Sequence, residues 1–151
     1  MNHGRALRRA DVPLTWETGD FWPRLDEGTL ADRQTVVLFC NVLGQHALHR
    51  RHPDLALRDL ERLPNALQGR AWGSFHDRLS GPWTGDLPSP DAFTSESSVP
   101  NLELASRAPT CRSWCDHLTE GLLPEGTRRW FIPWMINPTR FHWVEAGFFH
   151  A

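Results

Sequence analysis

Lysine and tyrosine are both missing from this chain, so all 16 basic residues are arginine and the aromatic residues are 8 Trp and 8 Phe. This skew reads as base-composition bias in the coding sequence, and it names no ligand. Cysteine is scarce as well. Cys40, Cys111 and Cys115 are too few and too unevenly spaced for the disulfide framework of a small secreted domain, so reduced thiols are expected. No run approaches the ~20 apolar residues of a membrane helix, and Met1 to Trp16 lacks the apolar centre of a signal peptide. These absences predict a cytoplasmic protein with no membrane association. A basic excess is missing too. The net charge is −2, which argues against the non-specific nucleic-acid binding that a cationic face would support.

What is present is an ordinary globular composition. Hydrophobic residues make up 40% and charged residues 23% of the 151 positions, enough to bury a core and too apolar for an intrinsically disordered chain. The length predicts a single domain over residues 1–151.

Along the chain, Pro13 to Trp22 (PLTWETGDFW) reads as a short strand entering a loop at Gly19-Asp20. Thr35 to Cys40 (TVVLFC) is a continuous β-branched and aromatic run, which predicts a central parallel strand buried on both faces. It ends at Asn41-Val42-Leu43-Gly44, read as a loop. Leu55, Leu60, Leu63 and Leu67 then recur at helical spacing behind Pro53-Asp54, with Gly69 placed to cap the C-terminus. Arg70 to Phe75 predicts a second strand, ending at the polar cluster His76-Asp77-Arg78. Residues 81–110 are rich in Gly, Pro, Ser and Asp and predict a long loop or lid. A helix is expected from Cys111 to Leu123. Arg129 to Ile136 and Phe141 to Phe149, joined by Asn137-Pro138-Thr139, predict an antiparallel hairpin. No internal repeat and no heptad pattern is present.

Parallel strands joined through a helix and followed by a hairpin predict an α/β sheet. Ligands of such sheets bind beyond the carboxyl ends of the strands, which here means Gly19 to Phe21, Asn41 to Gln45 and His76 to Arg78. Those segments are expected to converge. In order and spacing, TWETGDF, VVLFCNVLGQ, an amphipathic helix, GRAWGSFHDRLSG and WFIPWMINPTRFHWVE resemble the C-terminal half of a class I S-adenosylmethionine-dependent methyltransferase. The resemblance implies an incomplete Rossmann-like sheet, with Asp20 and Phe21 against the adenine and Asn41, Val42 and Leu43 beside the methionine arm of S-adenosylmethionine. The family's Gly-rich first turn and its ribose-binding acid have no counterpart here. The resemblance therefore implies an N-terminally truncated domain with half of its cofactor cradle missing, or one completed by another chain. Asn41 to Gly44 also lacks the Asn/Asp-Pro-Pro-aromatic sequence of amino-methylating relatives, leaving an unnamed small molecule as methyl acceptor.

Each candidate residue has a plainer structural reading. Asp20 suits a turn after a strand, and Asn41 suits a cap or an unusual backbone angle. His76 and Asp77 can form an acid–base pair near the acceptor, or Asp77 and Arg78 a structural ion pair. Cys111 and Cys115 share one face of the expected helix and are read as buried thiols, with His117 pointing elsewhere, and no metal site is expected. His46, His49 and His52 are read as a solvated connection. Trp130, Trp134, Phe141, Trp143, Phe148 and Phe149 predict sheet core, with any surface left uncovered by missing strands driving association. Three functions follow from these readings. The first is a methyltransferase-like enzyme for a small molecule. The second is a non-enzymatic remnant or interaction subunit that dimerises or pairs with another chain. The third is an unrelated α/β domain with its chemistry at His76 and the His46 to His52 cluster.

Overall fold

A computed structural model of the chain describes residues 21–22, 36–50, 52–85 and 89–150. The apolar run before Asn41 forms strand β1, Val37–Cys40, which pairs in parallel with β2, Trp72–Pro82. The connection between them is helical. Helix α1, Val42–His49, starts directly behind Asn41, and α2, Pro53–Ala66, carries Pro53 at its first position, where the missing N–H costs nothing. Ala56, Leu60 and Leu63 bury one face of α2 against a cluster holding Phe39, Leu43, Leu67 and Trp72. Gly69 takes a left-handed φ of 74° just past this helix, as its capping position predicts.

The rest of the sheet is antiparallel. β5, Arg129–Asn137, and β6, Arg140–Phe149, form the predicted hairpin, and β6 lies between β2 and β5. A short strand β3, Phe93–Ser95, adds to β5, and a two-residue strand β4, Cys115–Asp116, pairs with β2 beyond the end of β1. Among the described residues this gives an open mixed α/β sheet of six strands with the path β1-β2-β6-β5-β3. Helix α3, Asn101–Arg107, packs through Leu104 into a second apolar cluster with Leu79, Phe131, Phe141 and Trp143. No helix among the described residues is long and apolar enough to cross a membrane.

Several expectations are corrected. β1 is an edge strand among the described residues, with Phe39 buried and Leu38 63% exposed, so its apolar run does not mark two-sided burial. Asn41 to Gly44 is no loop, because a left-handed Asn41 (φ 57°) turns the chain at once into α1. β2 continues through His76-Asp77-Arg78 to Pro82, since each of those polar side chains finds a buried partner on a distant strand or loop. The 81–110 stretch holds β3 and α3. Cys111 to Leu123 is not helical, and left-handed backbone at Leu118 (φ 59°) and Gly121 (φ 72°) breaks any helical path there.

Candidate functional site

Strand β2 is irregular between Asp77 and Leu79, where its register against β6 slips by one residue. Side chains alternate on either side of that bulge. Phe75, Asp77 and Ser80 therefore share one face with Trp134, His142 and Val144, whereas Ser74, His76, Arg78 and Leu79 share the other with Phe131, Trp143 and Glu145. His76 and Asp77, adjacent in sequence, point to opposite faces and do not form the acid–base pair considered above.

On the His76 face the groups lock into an ionic lattice with no exposure. Arg78 donates to Glu145 Oε2 at 2.6 Å, to the Val99 carbonyl at 2.9 Å and to Asn101 Oδ1 at 2.9 Å. Arg129 donates to the carbonyls of Glu96, Leu123, Pro124 and Thr127, and its Nε lies 3.0 Å from Glu145 Oε1 as a charge contact without hydrogen-bond alignment. Ser74 donates its hydroxyl to His76 Nδ1 at 2.8 Å, turning the other ring nitrogen toward Glu145 at 3.4 Å. Burial opposes the charge of Glu145, but His76 and Arg78 together outweigh it and hold the carboxyl below the ordinary glutamate range.

On the other face Asp77 collects a smaller set. Its Oδ1 accepts from His142 Nδ1 at 2.9 Å, and its Oδ2 accepts from the Gln45 amide at 3.0 Å. Its backbone N–H donates to Asn41 Oδ1 at 3.2 Å. His117 donates through Nδ1 to the Gly44 carbonyl at 2.6 Å, which leaves Nε2 to accept from the Ser80 hydroxyl at 2.9 Å. Arg140 donates to the same Ser80 oxygen at 3.1 Å. The close approach of α1 to β2 requires Gly44, since a Cβ there would stand 2.6 Å from the Asp77 nitrogen. Burial would raise the Asp77 pKa, but the His142 hydrogen bond and charge, aided by His117, hold the carboxyl below its usual range. The Nε2 of His142, buried in the sheet, has no hydrogen-bond partner.

A crevice of about 650 Å3 opens past the carboxyl end of β1, lined by Trp22, Cys40, Asn41, Val42, Gln45, His46, His49 and Arg50. Its volume suits a nucleoside-sized molecule. His46 is a fixed part of the wall. The Trp22 indole donates to its Nδ1 at 2.9 Å, and its Nε2 donates to Asp59 at 2.8 Å, where Arg50 also binds at 2.8 Å. The expectation of a solvated histidine connection is thus corrected for His46. Gln45 links the crevice to Asp77.

Of the residues assigned to a cofactor, Asn41 and Val42 line the crevice. Leu43 is fully buried in the core against Phe39 and Leu60, so it offers no surface to a ligand. Phe21 meets Phe39 edge-on at 4.9 Å and packs on the core, while its neighbour Trp22 faces the crevice. Asp20 lies outside the described residues. Of the three segments expected to converge, Asn41 to Gln45 and His76 to Arg78 meet at Asp77. Sequence reasoning missed His142 and Ser80, and it placed His117 on a helix that does not form. The available signal was His142 and Glu145, on opposite faces of a run from Phe141 to Phe149 that is otherwise without polar side chains, where polar groups persist only if paired. Comparison with protein-family models, with curated proteins and with solved structures yields no match to this chain.

Proposed function

We propose that this chain is a methyltransferase-like α/β domain that binds a ligand of the S-adenosylmethionine class in the crevice at Asn41 and Val42, and that its acceptor is a small molecule. The observation that carries the reading is the position of the crevice. It lies past the carboxyl end of a parallel strand, at a left-handed Asn41, where open α/β sheets gather their ligands. The insertion of β6 antiparallel beside a parallel pair also supports a methyltransferase-like sheet. The lining fits the two ends of such a cofactor better than its middle. Trp22 and Val42 offer apolar surface to a purine, and His49 and Arg50 suit a carboxylate, whereas no described lining residue is acidic and able to take both ribose hydroxyls. When bound, the cofactor supplies an electrophilic methyl group. The chain's own contribution is to position it and keep Gln45 between it and Asp77.

Calorimetric titration of S-adenosylmethionine and S-adenosylhomocysteine into the purified chain tests this reading. Saturable binding in the micromolar range is expected, weakened at least about tenfold (~1.4 kcal/mol) by Val42→Glu. Absence of heat with both ligands overturns it.

A second reading, an interaction subunit, is favoured by one observation. Trp130 (42% exposed), Trp134 (40% exposed) and Ile136 (50% exposed) lie on one side of β5 and form an apolar stripe. Light scattering across a range of concentrations distinguishes the readings, since a covered stripe requires a dimer or a second chain and a steady monomer mass opposes it.

A further inference from the structure

We infer that Asp77, His117 and His142 form a binding site for a single transition-metal dication of the zinc class. The ligand-capable atoms of these three residues lie within 4.8 Å of one another, and all three side chains are buried. Two imidazoles and one carboxylate from separate segments are the donor set such ions select, and ligand atoms around a tetrahedral ion stand about 3.4 Å apart. The 2.9 Å Asp77 to His142 contact already lies inside that spacing, so a small movement of His117 closes the set.

The surroundings match what metal-binding histidines require. His117 gives its Nδ1 proton to the Gly44 carbonyl, which fixes the tautomer and leaves Nε2 with a lone pair directed at Ser80. Asp77 has its second oxygen held by Gln45. Outer contacts of this kind orient ligands and raise their basicity. His142 supplies the independent observation. Its Nε2 is buried with no hydrogen-bond partner, an arrangement that folded proteins avoid unless the group has another use. An ion bound through Nδ1, the atom 2.9 Å from Asp77, displaces the proton there to Nε2, whose lone pair is free to take it.

Charge decides the kind of ion. Arg140 reaches Ser80 and places a fixed positive charge at the rim of the cluster. A hard cation such as Mg2+ or Ca2+, held by charge and wanting six or more oxygens, is therefore disfavoured. An ion that forms strong bonds to neutral imidazole nitrogen tolerates this setting. Gln45 both lines the crevice and bonds Asp77, so the crevice comes within one side chain of the cluster. This inference does not rest on the cofactor reading, because the metal and S-adenosylhomocysteine are titrated separately.

The test uses the whole chain after dialysis against a chelator, titrated with Co2+ as a spectroscopic probe and with Zn2+ by calorimetry. One equivalent of each is expected, and bound Co2+ should show visible bands without the near-ultraviolet absorption of a cobalt–thiolate bond. That absorption would place the ion on Cys40, Cys111 or Cys115 and overturn the site. Asp77→Asn and His142→Gln, both close in shape to the native residues, should each weaken Zn2+ binding at least about tenfold, and Gln45→Ala by about tenfold. His52→Gln, an exposed histidine outside the cluster, should leave it unchanged. Unfolding curves establish which variants fold. Absence of stoichiometric binding by the native chain, or equal affinity in folded Asp77→Asn and His142→Gln, overturns the inference. The cobalt spectrum of the native chain decides the matter even where a variant fails to fold.

Discussion

The two faces of the β2–β6 ladder carry similar groups and use them differently. On one face Glu145 sits between Arg78 and Arg129, and those guanidiniums also bind carbonyls at Val99, Glu96, Leu123 and Pro124. Each bond ties a strand to a loop that lacks regular structure of its own. On the other face Asp77 holds two histidine-bearing segments and Gln45, keeps one imidazole nitrogen unpaired, and lies one side chain from a crevice. The Glu145 network is the larger and fixes the fold through its many ties to loops, although His76 Nε2, Arg78 Nε, Arg129 Nε and Glu145 Oε1 have no hydrogen-bond partner within it. The smaller Asp77 set lies beside a crevice, within reach of a ligand.

Breaking the Glu145 face should have the largest effect. Glu145→Ala leaves two buried arginines without their carboxylate and is expected to lower stability by about 3–5 kcal/mol, read from urea unfolding. If the chain fails to fold, Glu145→Gln, which keeps the shape, supplies a smaller loss in the same direction. The same residue gives the pH dependence. Its folded pKa lies below its unfolded value, so its contribution is complete above about pH 4.3 and is lost as pH falls through the lower folded value. Native unfolding midpoints should therefore decline more steeply below about pH 4.3 than those of Glu145→Gln. Parallel declines would show that Glu145 is not held below its ordinary range.

The next effect in size probes the contact between α1 and the Asp77 face. Gly44→Ala places a methyl group against the Asp77 backbone and is expected to cost about 1–3 kcal/mol while loosening the His117 to Gly44 bond. Hydrogen exchange at residues 115–119 should rise with it. The smallest effect is expected from Asp77→Asn, about 1 kcal/mol, because Asn keeps an acceptor for His142 and the Gln45 amide can turn its oxygen toward the new NH2 group. A loss as large as that of Glu145→Ala would remove the distinction between the faces and make Asp77 a structural anchor.

The sequence made the elements that rest on local chemistry readable. Val37 to Cys40 pairs in parallel as the β-branched run predicts, Pro53 with its following leucines forms a helix, and the two aromatic runs around Asn137-Pro138 form a hairpin. Elements decided by distant partners were not readable. Charged residues at His76 to Arg78 looked like the end of a strand, because the groups that accept them, Glu145 and His142, lie more than 60 residues away. Cys111 and Cys115 mimic one helix face, yet β4 is shaped by its pairing with Leu79 and Ser80. The crevice was half legible for the same reason. Asn41 and Val42 stand at a strand end that periodicity locates, while Gln45 and His46 reach their places through a helix that starts only because Asn41 adopts a left-handed turn.

The bulge after Asp77 acts as a shift of reading frame within a single strand. Before it, odd-numbered residues of β2 face His142 and even-numbered ones face Glu145; after it, Leu79 joins the Glu145 side and Ser80 the His142 side. Removing residue 78 would bring the two halves into one frame with Asp77, Leu79 and Ser80 opposite the same residues of β6, and would take Arg78 from Glu145 while leaving Arg129. One extra residue in the strand thus adds an arginine to the Glu145 face without changing which side chains meet His142.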